Sequence, residues 1–175
     1  MCRLVVRSPR DTDRLGRAIG RALRGGETLA LFGELGAGKT ALVRGIAGGL
    51  GATPTAVSSP TFVLIHEYRG RLPLAHVDLY RLNSPRELES IGLADYLSGP
   101  TVAAIEWADR GLALLPADRL EIELRHRTVG SRTFQLRATG PESTRLLRTL
   151  QARYGGGAPV PSLRRKRTRK KAAGS

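Results

Sequence analysis

Apolar residues at Leu15, Ala18, Ile19, Ala22 and Leu23 recur at helical spacing, which predicts a first helix from about Thr12 to Leu23. Asp11 or Thr12 is its expected cap, and Gly25-Gly26 its end. Leu29-Ala30-Leu31-Phe32 is a continuous apolar run without polar alternation, the pattern of a central strand buried on both faces. After a glycine-rich turn, Leu42, Val43, Ile46 and Leu50 mark a second helix that Gly51 stops. Phe62-Val63-Leu64-Ile65 and Leu74-Ala75-His76-Val77-Asp78 read as strands joined across Arg69-Gly70-Arg71 in a hairpin. Ser84-Pro85-Arg86-Glu87 has the order of a capping box, so a short helix starts there, interrupted at Gly92. Val102-Ala103-Ala104-Ile105 is another buried strand. Leu120 to Leu124 and Thr133 to Arg137 alternate across a turn at Val129-Gly130-Ser131, as an antiparallel ribbon does. Leu146, Leu147 and Leu150 give a closing helix from Pro141 to Tyr154.

This order of strands and helices predicts an α/β fold with a mostly parallel sheet, extended by antiparallel strands and flanked by helices. At 175 residues the chain has room for one such domain, placed at residues 1–154. Residues 155–175 hold three consecutive glycines, two prolines and the basic run Arg164 to Lys171, with little to bury, and are expected to be a disordered tail. Lys and Arg number 29 against 15 acids, a net charge of +14, and half of that excess lies in the tail. Such a balance suits a polyanionic partner. The tail has charge but no aromatic platform, so it can attract nucleic-acid phosphates without reading bases.

Cys2 is the one cysteine, which excludes an intramolecular disulfide and any cysteine-based metal cage. The sequence has no apolar run long enough for a membrane helix, and Arg3, Arg7 and Arg10 break the start of the chain where a secretory signal would be apolar. A cytoplasmic protein is expected.

The chemistry begins at Gly33-Glu34-Leu35-Gly36-Ala37-Gly38-Lys39-Thr40, a Walker A pattern that follows a buried strand and opens a helix. Glycines let the backbone curl so that amide groups face phosphate oxygens, and the helix adds its positive end. Lys39 is placed to neutralise the β- and γ-phosphates, and the Thr40 hydroxyl to reach a magnesium ion. Residues 1–154 contain 21 arginines and one lysine, Lys39. A chain that otherwise uses guanidinium thus keeps a compact ammonium at this position.

A phosphate loop of this kind works with a carboxylate at a strand end. Glu106 ends the cleaner apolar strand and is favoured as the metal residue; Asp78 ends the other, and its open roles are orienting the attacking water, assisting the metal or capping Arg81. Ser58-Ser59-Pro60-Thr61 lies where nucleotide-sensing segments lie in many P-loop proteins, though a plain turn fits it nearly as well. His76 and Trp107 read as core residues. No Asn-Lys-x-Asp stretch for guanine occurs, so adenine is the favoured base.

The loop, Ser-Pro-Thr-Phe at 59–62, His-Val-Asp-Leu-Tyr-Arg-Leu at 76–82, Glu-Leu-Glu-Ser-Ile-Gly-Leu-Ala-Asp-Tyr-Leu at 87–97 and Glu-Trp at 106–107 occur together in one order. In this the chain resembles the bacterial TsaE (YjeE) family over about residues 9 to 150. The resemblance implies a P-loop NTPase fold and an ATPase that uses ATP and magnesium. It also implies a cycling factor for the TsaD-TsaB complex, which attaches threonylcarbamoyl to the adenosine beside the anticodon in tRNAs reading codons that begin with A. Glu34, Leu35, Gly36, Ala37, Gly38, Lys39, Thr40 and Ala41 would then bind the nucleotide, with Thr40 and Glu106 at the metal. Lys39, Asp78, Glu106 and the switch-like Thr61 would act in catalysis, and Thr12 matches a nucleotide-contacting position more loosely. Two other readings compete: a small-molecule phosphotransferase, and a nucleotide-gated adaptor for tRNA or protein.

Overall fold

Seven strands form one sheet in the order β1-β7-β6-β2-β5-β4-β3. The computed structural model describes residues 1–53, 57–82, 84–128 and 130–154, so the basic segment 155–175 lies outside the described residues. The strands are β1 (Cys2–Val6), β2 (Thr28–Phe32), β3 (Ile65–Tyr68), β4 (Leu74–Asp78), β5 (Val102–Glu106), β6 (Leu120–Thr128) and β7 (Ser131–Ala138). Helices are α1 (Pro9–Ala22), α2 (Lys39–Gly49), α3 (Pro85–Ser90), α4 (Leu93–Tyr96) and α5 (Pro141–Tyr154). β6, β2, β5 and β4 are parallel neighbours, while β3 closes one edge and β7 with β1 the other, all antiparallel. This is the P-loop NTPase type of α/β fold, with the antiparallel extension present on both edges.

Alternation along the central strands sorts side chains onto two faces. Leu29, Leu31, Val102 and Ala104 join the core that packs under α1, α2 and α5. Ala30, Ala103 and Ile105 join a smaller core on the opposite face with Leu79, Leu93 and Leu115. Continuing the same alternation, Glu106 follows Ala104, and His76 and Asp78 follow Leu74, onto the α2 side. That parity places the later chemistry beside the start of α2.

Three expected elements change. α1 begins at Pro9, with the Ser8 hydroxyl accepting from the Asp11 amide at 3.2 Å and donating to its carboxylate. Serine before proline is a stronger start than the Asp11 or Thr12 caps. The run Phe62-Val63-Leu64 is a turn, and β3 starts at Ile65. Val63 N and Leu64 N both bond to the Pro60 carbonyl, and Leu64 has φ 72°, a left-handed conformation that interrupts an extended ladder. β1 was absent from the expected elements; its Leu4 and Val6 point into the core at the sheet edge. The predicted capping box at Ser84 and Glu87 is present, each amide bonding to the other side chain at 3.2 and 3.3 Å.

α1 and α2 approach through glycines. A Cβ added at Gly16 would lie 2.6 Å from the Leu42 carbonyl oxygen and 2.8 Å from the Gly45 Cα. Alanine normally favours a helix, but here it would strike backbone that cannot move independently of α2. Gly16→Ala is therefore expected to destabilise the fold by about 1–3 kcal/mol, read as a lower urea midpoint at constant slope. An unchanged midpoint would show that the helices separate without cost.

Candidate functional site

β2 runs straight into the Gly33–Thr40 loop, whose other end is the first turn of α2. Gly33 has φ 139°, and a Cβ there would sit 2.5 Å from the Leu124 carbonyl oxygen, so both conformation and space require glycine. Gly38 caps α2 at φ 104° with no side-chain cap bond. The first amides of α2 thus meet no capping side chain, and a helix start of this kind favours an anion.

Lys39 is only 4% exposed. Its Nζ donates to the carbonyls of Gly33 at 2.6 Å and Glu34 at 3.0 Å, and lies 3.8 Å from the centre of the Trp107 ring. Burial lowers its pKa, while the charges of Glu106, Asp78 and Asp109 act to raise it. The ammonium is held over the loop between carbonyl dipoles and an aromatic face.

Glu106 Oε1 accepts from the Thr40 hydroxyl at 2.8 Å and from His76 Nε2 at 2.7 Å. A carboxylate only accepts, so Nε2 is the donor of that bond; His76 Nδ1 is buried without a hydrogen-bond partner among the described residues. Asp78 stands opposite Glu106 in the parallel register. Its Oδ2 accepts from Ser59 Oγ at 3.0 Å and Thr61 Oγ1 at 2.5 Å, and its Oδ1 from the Tyr80 amide at 2.9 Å. The segment between α2 and β3 is thereby tied by two hydroxyls to the end of β4.

These groups line a cleft of about 340 Å³ at the carboxyl edge of the parallel strands, with Leu35, Gly36, Gly38, Lys39, Thr40, Ser59, Thr61, Asp78, Tyr80, Glu106 and Trp107 in its wall. Open α/β sheets bind ligands at this edge. Thr40 and Glu106 bring two hard oxygen donors within hydrogen-bond distance. Magnesium takes few protein ligands and completes its shell with waters and phosphates, so this donor pair fits it. Among the described residues no three His, Cys, Asp or Glu side chains gather into a metal cage.

The structure brings Lys39, Thr40, Thr61, Asp78 and Glu106 together, with Leu35, Gly36 and Gly38 in the same wall. Ala37 is buried in the loop, Glu34 contributes its carbonyl to Lys39, and Ala41 follows in the first turn of α2. Thr12 is buried in the first turn of α1 and is not in the wall of this cleft. Trp107 packs against the smaller core, as expected, and also lines the cleft: its φ of 58° turns the chain at the end of β5 and sets the ring against Lys39 and, at 4.9 Å between centroids, Tyr80. His76 is buried as expected, yet it also holds Glu106. Its position two residues before Asp78, on the same face of the strand, was the available signal.

The rim is apolar. Leu35 and Phe62 are 78% and 82% exposed, Val63 is exposed, and the Arg81 guanidinium lies 4.5 Å over the Phe62 ring.

The model of one protein family, described as threonylcarbamoyl adenosine biosynthesis protein TsaE, matches residues 6–134. The chain is similar to the tRNA threonylcarbamoyladenosine biosynthesis protein TsaE of Treponema pallidum, 43% identical over 130 residues that cover 74% of this chain and 96% of the relative. With the protein of the same description from Bacillus subtilis it shares 39% over 134 residues, covering 76% and 83%. The crystal structure of Bacillus subtilis YdiB superposes with a TM-score of 0.73 at 31% identity, covering 86% of this chain and 94% of that one.

Proposed function

The chain belongs to the TsaE family, a nucleotide-binding family that serves threonylcarbamoyladenosine modification of tRNA, and from that premise we propose that it is an ATPase that drives another protein's cycle. The partner is the TsaD-TsaB complex, and the product is the modified adenosine in tRNAs reading codons that begin with A. Residues 1–154 carry the activity. Residues 155–175 add attraction for tRNA phosphates.

The observation that carries this reading is the meeting of Lys39, Thr40, Asp78 and Glu106 in one cleft, supplied by α2, β4 and β5. Loop amides and the α2 start receive the phosphates, and Lys39 leaves its carbonyl partners to offset their charge. Thr40 and Glu106 would hold magnesium, which when bound neutralises charge on the β- and γ-phosphate oxygens. Asp78 would orient the attacking water, and Ser59 and Thr61, bonded to it, would connect nucleotide state to the exposed Phe62 and Val63. An apolar rim beside a nucleotide cleft favours a protein partner over a small acceptor, because exposed apolar patches mark docking surfaces.

Alone, the chain is expected to hydrolyse ATP slowly, and TsaD-TsaB to change its turnover or nucleotide affinity. Modification assays with and without the chain, run over many catalytic cycles, supply the decisive comparison. Identical kinetics at all partner concentrations, together with ATP use matched by a phosphorylated small molecule, would establish the phosphotransferase reading instead.

A further inference from the structure

Arg132 stands at the start of β7, in register with His126 of β6 and with Val6 of β1. Val6 belongs to the core beneath α1 and α2, and register partners share a face, so Arg132 faces the α2 side of the sheet. Its guanidinium lies against the phosphate loop. A Cβ added at Gly38 would meet Arg132 Nε at 3.4 Å and Cζ at 3.9 Å. Gly38 is the residue before Lys39 and the cap of α2.

Arg132 Nε is buried and makes no hydrogen bond among the described residues. Other half-buried arginines are supplied with acceptors: Arg14 by Asp11, Arg17 by Asp13, Arg119 by Glu121 and Arg145 by Glu27. The acids of β6, Glu121 and Glu123, alternate with the core residues Ile122 and Leu124 onto the other face, where Arg119 and Arg137 hold Glu121 and Arg125 holds Glu123. An arginine cannot shed its proton to escape burial, so a guanidinium with a buried, unpaired Nε is left short of an acceptor. The acceptor that fits must come from outside, and the loop it touches has the form of a phosphate cradle.

Resting on the ATP reading of the cleft, we propose that Arg132 is a nucleotide-binding residue that grips the phosphate chain from the flank opposite Lys39. The sheet order supports two flanks: β2 carries the loop, β5 supplies Glu106 and Trp107 on one side, and β7 lies on the other beyond β6. A planar guanidinium suits this place because it offers two parallel donors to phosphate oxygens, which an ammonium does not.

The test is titration of the full chain and of Arg132→Ala and Arg132→Gln with ATP, with ADP, and with inorganic tripolyphosphate as competitor, alongside thermal melting without nucleotide. Both variants are expected to lose about 10- to 100-fold in affinity for ATP and ADP, as for a lost charge-assisted contact, with a matching loss of competition by tripolyphosphate. Their melting without nucleotide should not fall, since no protein partner is lost; where the alanine variant does not fold, the glutamine variant decides. ATP affinity within about twofold of the parent chain overturns the proposal. So does a loss for ATP with tripolyphosphate binding intact, which moves Arg132 to the base or sugar. A parent chain that binds no ATP overturns the proposed function instead.

Discussion

Lys39→Ala is expected to weaken ATP binding by about 100-fold or more and to abolish measurable turnover, while the chain remains folded. Removal of a charge-assisted contact to phosphate costs about 1.5–3 kcal/mol for each bond lost, and an ammonium can serve more than one oxygen. No other lysine in residues 1–154 can take its place. Lys39 Nζ already sits on the Gly33 and Glu34 carbonyls over Trp107, so the charge is positioned before the nucleotide arrives. Lys39→Arg should fail as well, because a broad planar head does not fit the space between two loop carbonyls and an indole. Thr40→Ala, by contrast, should lose mainly the magnesium-dependent part of binding. Titrations with and without magnesium separate the three variants. Unchanged ATP affinity in Lys39→Ala would remove the loop from the site.

The parts of the site legible in the sequence are those set by local rules. β2, the glycine loop and α2 are contiguous, and each has its own signature. The period of two along β4 and β5 places His76, Asp78 and Glu106 on one face, though the sequence does not say that His76 Nε2 reaches Glu106. What was misread depends on exposure or on distant neighbours. Phe62-Val63-Leu64 has the composition of a strand, but Phe62 and Val63 lie open to solvent around the Pro60 turn. Trp107 does pack on the smaller core, as a lone tryptophan usually does, but its left-handed backbone also brings the ring to the cleft, which no local pattern announces. The start of α5 is held by Asp118, whose carboxylate accepts from the Glu142 and Ser143 amides across more than twenty residues of sequence. Arg132 has no local signature that sets it apart among so many arginines. Its meaning comes from the order β7-β6-β2, a nonlocal arrangement that no window of sequence contains.

Glu106→Gln is expected to bind ATP within a few-fold of the parent chain and to hydrolyse it about 100-fold more slowly or worse, the cost of removing one well-placed electrostatic contact. The amide has the shape of the carboxylate, and its oxygen can still accept from Thr40 Oγ1 and His76 Nε2, so the wall of the cleft stays in place. What disappears is the negative charge at the end of β5, where the proposed magnesium site needs a hard anionic donor. Asp78→Asn makes the matching change on the neighbouring strand β4, directly in register with Glu106. It keeps an oxygen for Ser59 and Thr61 and loses charge near the water-orienting position. If Glu106 serves the metal and Asp78 the water, both variants slow turnover, but only Glu106→Gln shifts the magnesium concentration needed for half-maximal rate. A Glu106→Gln variant with normal turnover and normal magnesium dependence, beside an inactive Asp78→Asn, would transfer the metal carboxylate from β5 to β4.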